Sequence, residues 1–126
     1  MLYYKQNITN LPNYNDGFFK LFVIIHANEI YPTEYLREVK TRPIWFEELS
    51  ISDRLKFEAD ERKKNITLKI RIPQMKNICS LHAVKIGDNY HKVFNAYHFT
   101  NKDGIKQTDL TLEGYDNPRL EEELWT

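Results

Sequence analysis

The residues that could do chemistry in this 126-residue chain are few and scattered. Four histidines, His26, His82, His91 and His98, are the first candidates for metal ligation or proton transfer. Only His91 and His98 share an apparent strand, and their odd spacing sends the two imidazoles to opposite faces unless a bulge intervenes. The single cysteine, Cys79, has no second thiol for a disulfide or a zinc cluster, and reads as a small core residue. Glu47 and Glu48 are neighbours, so in a strand their carboxylates point apart and do not make a general acid and base pair. The chain carries no G-x-S-x-G, no Walker-type glycine loop and no H-E-x-x-H. The expectation is a protein that is not an enzyme and holds neither metal nor cofactor.

Nucleic-acid contact is the next possibility. Arg54, Lys56, Arg62, Lys63 and Lys64 lie in one charged stretch, with Lys69 and Arg71 on the polar face of the strand after it. Asp53, Glu58, Asp60 and Glu61 offset them, and over the whole chain 18 basic and 18 acidic residues cancel. Such a chain has no global field for nucleic acid or an anionic membrane, so any DNA contact is local. A nearly neutral segment lets a polymer slide or stop without gripping it, whereas sequence readout needs bidentate arginines on an element shaped to a groove. The densest apolar run, residues 18–25, is too short to span a bilayer, and the first residues lack the layout of a signal peptide. The reading is a protein made inside the cell, with no membrane partner.

The elements that must position these side chains are mostly strands. Length and a 41% hydrophobic content suit one domain. Residues 1–16, rich in asparagine and with Pro12, form an arm whose Tyr3, Tyr4, Ile8, Leu11 and Tyr14 are more apolar than a free tail needs. The arm packs on its own barrel or on a neighbour. Phe18 to His26 is apolar at both alternating sets of positions, as in a strand buried on both faces, although a buried helical turn also fits so short a run. Its outer face then needs cover from an arm or a subunit. Tyr31 to Val39 satisfies helix and strand spacing alike, and the extended reading is favoured. Ile44 to Leu49 reads as strand with Trp45 and Phe46 on opposite faces, one anchoring the core and the other a contact.

Ser50 to Lys64 is the helical signal, capped by Ser50 with Asp53 and carrying Glu58/Arg62 and Asp60/Lys64 pairs. Its apolar stripe of Ile51, Leu55 and Ala59 is thin, and Phe57 points elsewhere, so the segment docks weakly and can move. Next comes the clearest strand, with Ile66, Leu68, Ile70 and Ile72 on one face and Pro73 ending the ladder. Burying those four aliphatics contributes roughly 6 to 12 kcal/mol as an upper figure. Two hairpins follow, turning at Gly87-Asp-Asn89 and at Asn101-Lys-Asp-Gly104, with a bulge expected near Asn95 and Ala96 and with Leu110 and Leu112 facing inward. Asn117-Pro118 and Glu121 to Glu123 have the makings of a short terminal helix with Leu120, Leu124 and Trp125 on its apolar side, facing a partner. The fold class is mainly β, a small antiparallel barrel or sandwich. Residues 1–16 form its arm, 17–114 the barrel domain with an inserted loop at 50–65, and 115–126 the tail.

Taken in order, Ile44-Trp-Phe-Glu-Glu-Leu-Ser50, Lys69-Ile-Arg-Ile-Pro73, Val84 to Val93, Asn95 to Gly104 and Thr108-Asp-Leu-Thr-Leu112 resemble the head closure, or head-tail joining, proteins of tailed phages. The resemblance spans about residues 40–114, and its weight lies in the order and spacing of short motifs, none of them catalytic. It implies a β-barrel assembled as a ring, dodecameric in this family, in the neck of the virion between the portal adaptor and the tail terminator or tail completion protein. Packaged DNA passes through the channel. It also implies that the connection at about 50–65 projects toward that channel and acts as a stopper, which puts Arg54, Lys56, Phe57, Arg62, Lys63 and Lys64 near the DNA. Tyr3, Tyr4, Trp45, Leu120, Leu124 and Trp125 are the expected partner contacts. The long front, residues 1–35, and the acidic Leu-Trp tail depart from shorter members of the family, so their contacts are not carried over. Two alternatives stand beside this reading: a small nucleic-acid-binding barrel of OB or SH3-like kind, and a tail-completion or adaptor component of the same neck.

Overall fold

A computed structural model of the chain describes residues 13–27, 33–52, 54, 61 and 65–121. Seven strands are present there: β1 (Gly17–Ala27), β2 (Thr33–Glu38), β3 (Ile44–Leu49), β4 (Ile66–Pro73), β5 (His82–Ile86), β6 (Asn89–Thr100) and β7 (Lys106–Gly114). The order β1-β3-β4-β7-β6-β5 returns to β1, which closes an antiparallel barrel of six strands. The barrel expected from the sequence is therefore the fold.

The interior follows from alternation. Phe19 and Leu21 of β1, Phe46 of β3, Ile70 and Ile72 of β4, Val84 of β5, Val93 of β6 and Leu110 and Leu112 of β7 meet in one cluster, to which the β4–β5 connection adds Ile78. Period-two side chains on paired strands reach the same face, so inward register pairs such as Ile70↔Leu110 and Leu68↔Leu112 place two aliphatics side by side. Leu68 is only partly buried and packs on this cluster from the edge. Gly87 (φ 60°) and Gly104 (φ 81°) take the left-handed backbone that the β5–β6 and β6–β7 turns require. The ladder between β6 and β7 slips between Val93 and Asn95, so the bulge lies one residue before the place expected. It matters for the histidines. Val93 pairs with Leu112 and Ala96 with Leu110, so the extra residue brings His91 and His98 onto the same face instead of opposite ones.

Both faces of β1 are buried in its middle, at Phe19 and Leu21 on one side and Phe22 and Ile24 on the other, while Phe18 stays half exposed. Its outward Phe22 and Ile24 join Leu36 of β2 and Ala83 of β5 in a second cluster, covered by Tyr90, Tyr115 and Leu120. The cover is this chain's own: β2, extended and antiparallel to β1 from Phe22↔Glu38 to Ala27↔Thr33, and the segment after β7. Trp45 and Phe46 divide as expected, with Phe46 in the interior and Trp45 outside.

Two expectations are corrected. Cys79 is exposed: Ile78 fills the interior position, and Cys79 sits in the turn before β5, its N–H donating to His82 Nδ1 at 3.2 Å and its C=O accepting the His82 N–H at 3.0 Å. The helix expected to open at Pro118 does not open there. Asn117 has φ 50°, and Leu120 forms a parallel bridge with Leu36, whose N–H donates to the Arg119 carbonyl at 2.7 Å. Among the described strands β2 ends the sheet, and this pairing satisfies one of the peptide groups on its outer edge. Leu124 and Trp125 lie outside the described residues.

Candidate interaction surfaces

Strands β3 and β4 are direct neighbours, paired through Glu47↔Arg71, Glu48↔Ile70 and Leu49↔Lys69. The chain leaves the barrel at Leu49 and returns at Ile66 on the adjacent strand, so residues 50–65 are an excursion from one rim where a tight turn would join the strands. The root of this excursion is tied down and acidic. The Asp16 carboxylate accepts the Glu48 N–H at 2.8 Å, and the Asp16 N–H donates to the Phe46 carbonyl at 3.0 Å. An open cleft of about 590 Å³ lies there among Asp16, Glu48, Ser50, Ile51, Thr67 and Leu68. Of the residues expected near the channel, Arg54 is exposed and helical. Lys56, Phe57, Arg62, Lys63 and Lys64 lie outside the described residues, as do Tyr3 and Tyr4 of the arm. The end of the arm does reach its own barrel, where the Tyr14 hydroxyl accepts a bond from the buried Gln107 amide at 2.9 Å.

Trp45 stands outside β3, directly opposite Phe18 of β1, with ring centroids 5.1 Å apart. They are 51% and 48% exposed, and large aromatics left half in water on adjacent strands are the kind of surface that partners cover. Phe18 was not singled out by sequence, because its partner is set by long-range register. A second aromatic surface lies on β6, where Tyr97, 60% exposed, stacks on Phe99 at 5.4 Å. Arg71 lies 5.1 Å over the Phe99 ring and forks onto Asp109 at 2.7 and 3.0 Å. The Asp109 bonds hold the guanidinium still more firmly charged than usual. Arg71, read from sequence as a candidate DNA contact, is thus engaged by an acid on β7. The only signal for that pairing was opposite charge at outward positions of two strands whose register was not visible.

The segment after β7 is clasped to β2 by polar bonds. The Tyr115 hydroxyl donates to Glu34 at 2.7 Å, Lys92 reaches the same carboxylate oxygen at 2.7 Å, and the Lys92 ammonium sits 4.6 Å over the Tyr115 ring. Lys92 holds the Glu34 carboxyl below the usual glutamate range, with help from Tyr115, while burial and the bond to Glu34 push the Tyr115 phenol up. Arg37 forks onto Glu121 at 2.8 and 3.0 Å. Leu120, expected on the partner-facing side of a helix, instead packs against the outer cluster of Phe22, Ile24, Leu36 and Ala83.

His82, His91 and His98 serve local bonds. His91 Nδ1 and Thr67 Oγ1 lie 3.0 Å apart, and His98 Nδ1 and Thr108 Oγ1 2.8 Å apart. Burial lowers the pKa of His91 and of His82. Among the described residues, no three His, Cys, Asp or Glu side chains come together as a metal site, and no helix is long and apolar enough to cross a membrane. No protein-family model matches the chain, and no curated protein matches it in sequence.

Proposed function

We propose that this chain is a structural virion protein of the tailed-phage neck, a ring subunit that joins head to tail and closes the DNA channel until ejection. The observation that carries the reading is the excursion at 50–65, rooted on the rim of a closed antiparallel barrel between two directly paired strands. A rigid barrel repeated about an axis supplies one such segment per subunit, so individually weak contacts act together through multivalency. Closure is steric: DNA is blocked, not cut or modified. The ring is dodecameric, with the portal adaptor on one side and the tail terminator or tail completion protein on the other. The exposed Phe18 and Trp45 pair supports a subunit or partner contact on the outer wall.

The test is electron microscopy of particles from a phage or prophage lacking this gene alone. Separate tails beside heads that have lost their DNA are the expected result; complete, DNA-filled, tailed virions would refute the reading. Phe57→Ser should weaken DNA retention and leave the fold intact. A second reading, a small nucleic-acid-binding barrel, draws on the exposed Tyr97 stacked on Phe99, since bases stack on aromatics of this kind. It requires salt-sensitive binding of free DNA or RNA by the isolated protein.

A further inference from the structure

Among the described residues four large apolar side chains stand about half or more in water: Phe18, Trp45, Leu81 and Tyr97. Two of them make one projection. Phe18 and Trp45, opposite each other on β1 and β3, present rings 5.1 Å apart and tilted by 52°. A third marks a recess. Leu81, 57% exposed, is the lip of a cleft of about 310 Å³ whose apolar walls are Ile24, Leu81, Val93 and Phe94. Phe94 reaches it because the β6–β7 ladder skips that residue between Val93 and Asn95, and a bulge turns the skipped side chain out of the strand's alternation. On the polar side of the cleft stands Glu34, held by the Tyr115 hydroxyl and by Lys92 on one carboxylate oxygen. A carboxylate has lone pairs for a further donor.

The projection and the recess fit each other chemically. An indole buried in a partner needs apolar walls for its body and an acceptor for its N–H, and the cleft supplies both. One copy cannot fill its own cleft. Phe18 and Ile24 lie on the same strand, separated by about 20 Å of extended chain that is fixed by pairing with β3 at one end and with β2 at the other. The occupant is therefore a second copy. We propose that Trp45 of one subunit, backed by Phe18, seats in the cleft between Ile24, Leu81 and Phe94 of the next, with its indole N–H on Glu34. Because the two surfaces differ, the contact is head-to-tail and repeats from copy to copy, as a ring requires. It deepens the ring reading, on which it rests for closure, by naming the contact between neighbours.

Sedimentation velocity of the isolated full chain tests the contact. The parent should associate beyond a dimer as concentration rises. Phe18→Thr with Trp45→Thr removes the projection, and Leu81→Arg puts a charge on the lip of the recess while sparing the backbone bond between Leu81 and Ile24. Each variant alone should associate at least about tenfold more weakly, the worth of one buried apolar side chain. The decisive sample is the two variants mixed. One keeps the recess and the other the projection, so the mixture should form a one-to-one dimer and nothing larger, which a misfolded variant would not do. A parent that stays monomeric at high concentration, or stops at a dimer, overturns the proposal, as does either variant associating as tightly as the parent or a mixture without dimer. The ring reading fails separately: complete tailed virions from the phage lacking this gene would remove the neck assignment, while a one-to-one mixed dimer would still uphold this contact.

Discussion

The barrel interior and the patch outside β1 are both built from large apolar side chains, yet they are closed by different means. Inside, Phe19, Leu21, Ile70, Ile72, Leu110 and Leu112 occupy alternate positions of hydrogen-bonded strands, so the backbone ladder that forms the sheet also makes the contacts. Outside, Phe22, Ile24, Leu36 and Ala83 are buried by a separate piece of chain, held by the Leu36–Arg119 backbone bond and the side-chain bonds of Glu34 and Arg37. A sheet that curls into a barrel buries one face through its own geometry. Its second face needs a cover that must be fastened by directional bonds, and such a cover can open alone.

The sharpest test of this contrast sets one deletion against another. Leu110→Ala in the interior should cost about 4 kcal/mol in urea unfolding, because the cavity is enclosed on all sides. Leu36→Ala removes the same atoms from the outer cluster and should cost about 2 kcal/mol, since strand β2 and the segment over it can settle inward. Equal losses would mean that the outer cluster settles around a missing side chain no better than the interior does. Tyr115→Phe keeps the ring and deletes the bond to Glu34, for about 1 kcal/mol. Amide exchange should then quicken at Leu36 while Ile70 and Leu110 are unchanged, and uniform quickening would break the comparison.

Acid should discriminate the regions in the same direction. The Glu34 carboxyl is depressed chiefly by its bond to Lys92, with burial opposing and Tyr115 assisting. A depressed carboxyl contributes stability above the ordinary glutamate range and loses it as pH falls through the folded-state value. Exchange at Leu36 should accordingly quicken below the glutamate range before that of Ile70, and Glu34→Gln should remove the difference. His82 and His91, lowered by burial, act earlier, as pH falls through the ordinary histidine value, so the Gln variant separates the two effects. The smallest expected change comes from Arg37→Ala. Its fork with Glu121 is in open solvent, and its contribution to holding the segment should disappear at high salt.

Legibility tracked the range of the interaction. The inward Leu68, Ile70 and Ile72 of β4, the opposed faces of Trp45 and Phe46 and the burial of Phe22 and Ile24 on the face of β1 opposite Phe19 and Leu21 are period-two statements about neighbouring residues and hold in the fold, as do the two hairpin turns; Ile66, expected with the inward set, falls beyond a register shift opposite Glu113 and outside the core cluster, and Phe18 is half exposed. The bulge was visible as a break in alternation and displaced by one residue, because either neighbour restores the period. Of the candidate site, Trp45 could be placed outside the barrel from its own strand, but Phe18 beside it could not. Cys79 failed for a similar reason: polarity scales put a lone cysteine inside, and the β4–β5 connection put Ile78 there instead.

By itself, the sequence determined which residues alternate, where the chain turns, and that β1 carries apolar side chains on both faces. Those properties are carried by side-chain type, glycine placement and a two-residue period, all local. Only the tertiary structure decided that β1 meets β5 to close the barrel, that Arg71 falls opposite Asp109, and that the segment after β7 covers the outer face of β1 by lying beside β2 instead of coiling into a helix at Pro118. Each of these depends on pairing register between residues far apart in the chain. A register shift of one residue reverses every face, and no local pattern specifies which distant strand supplies the partner.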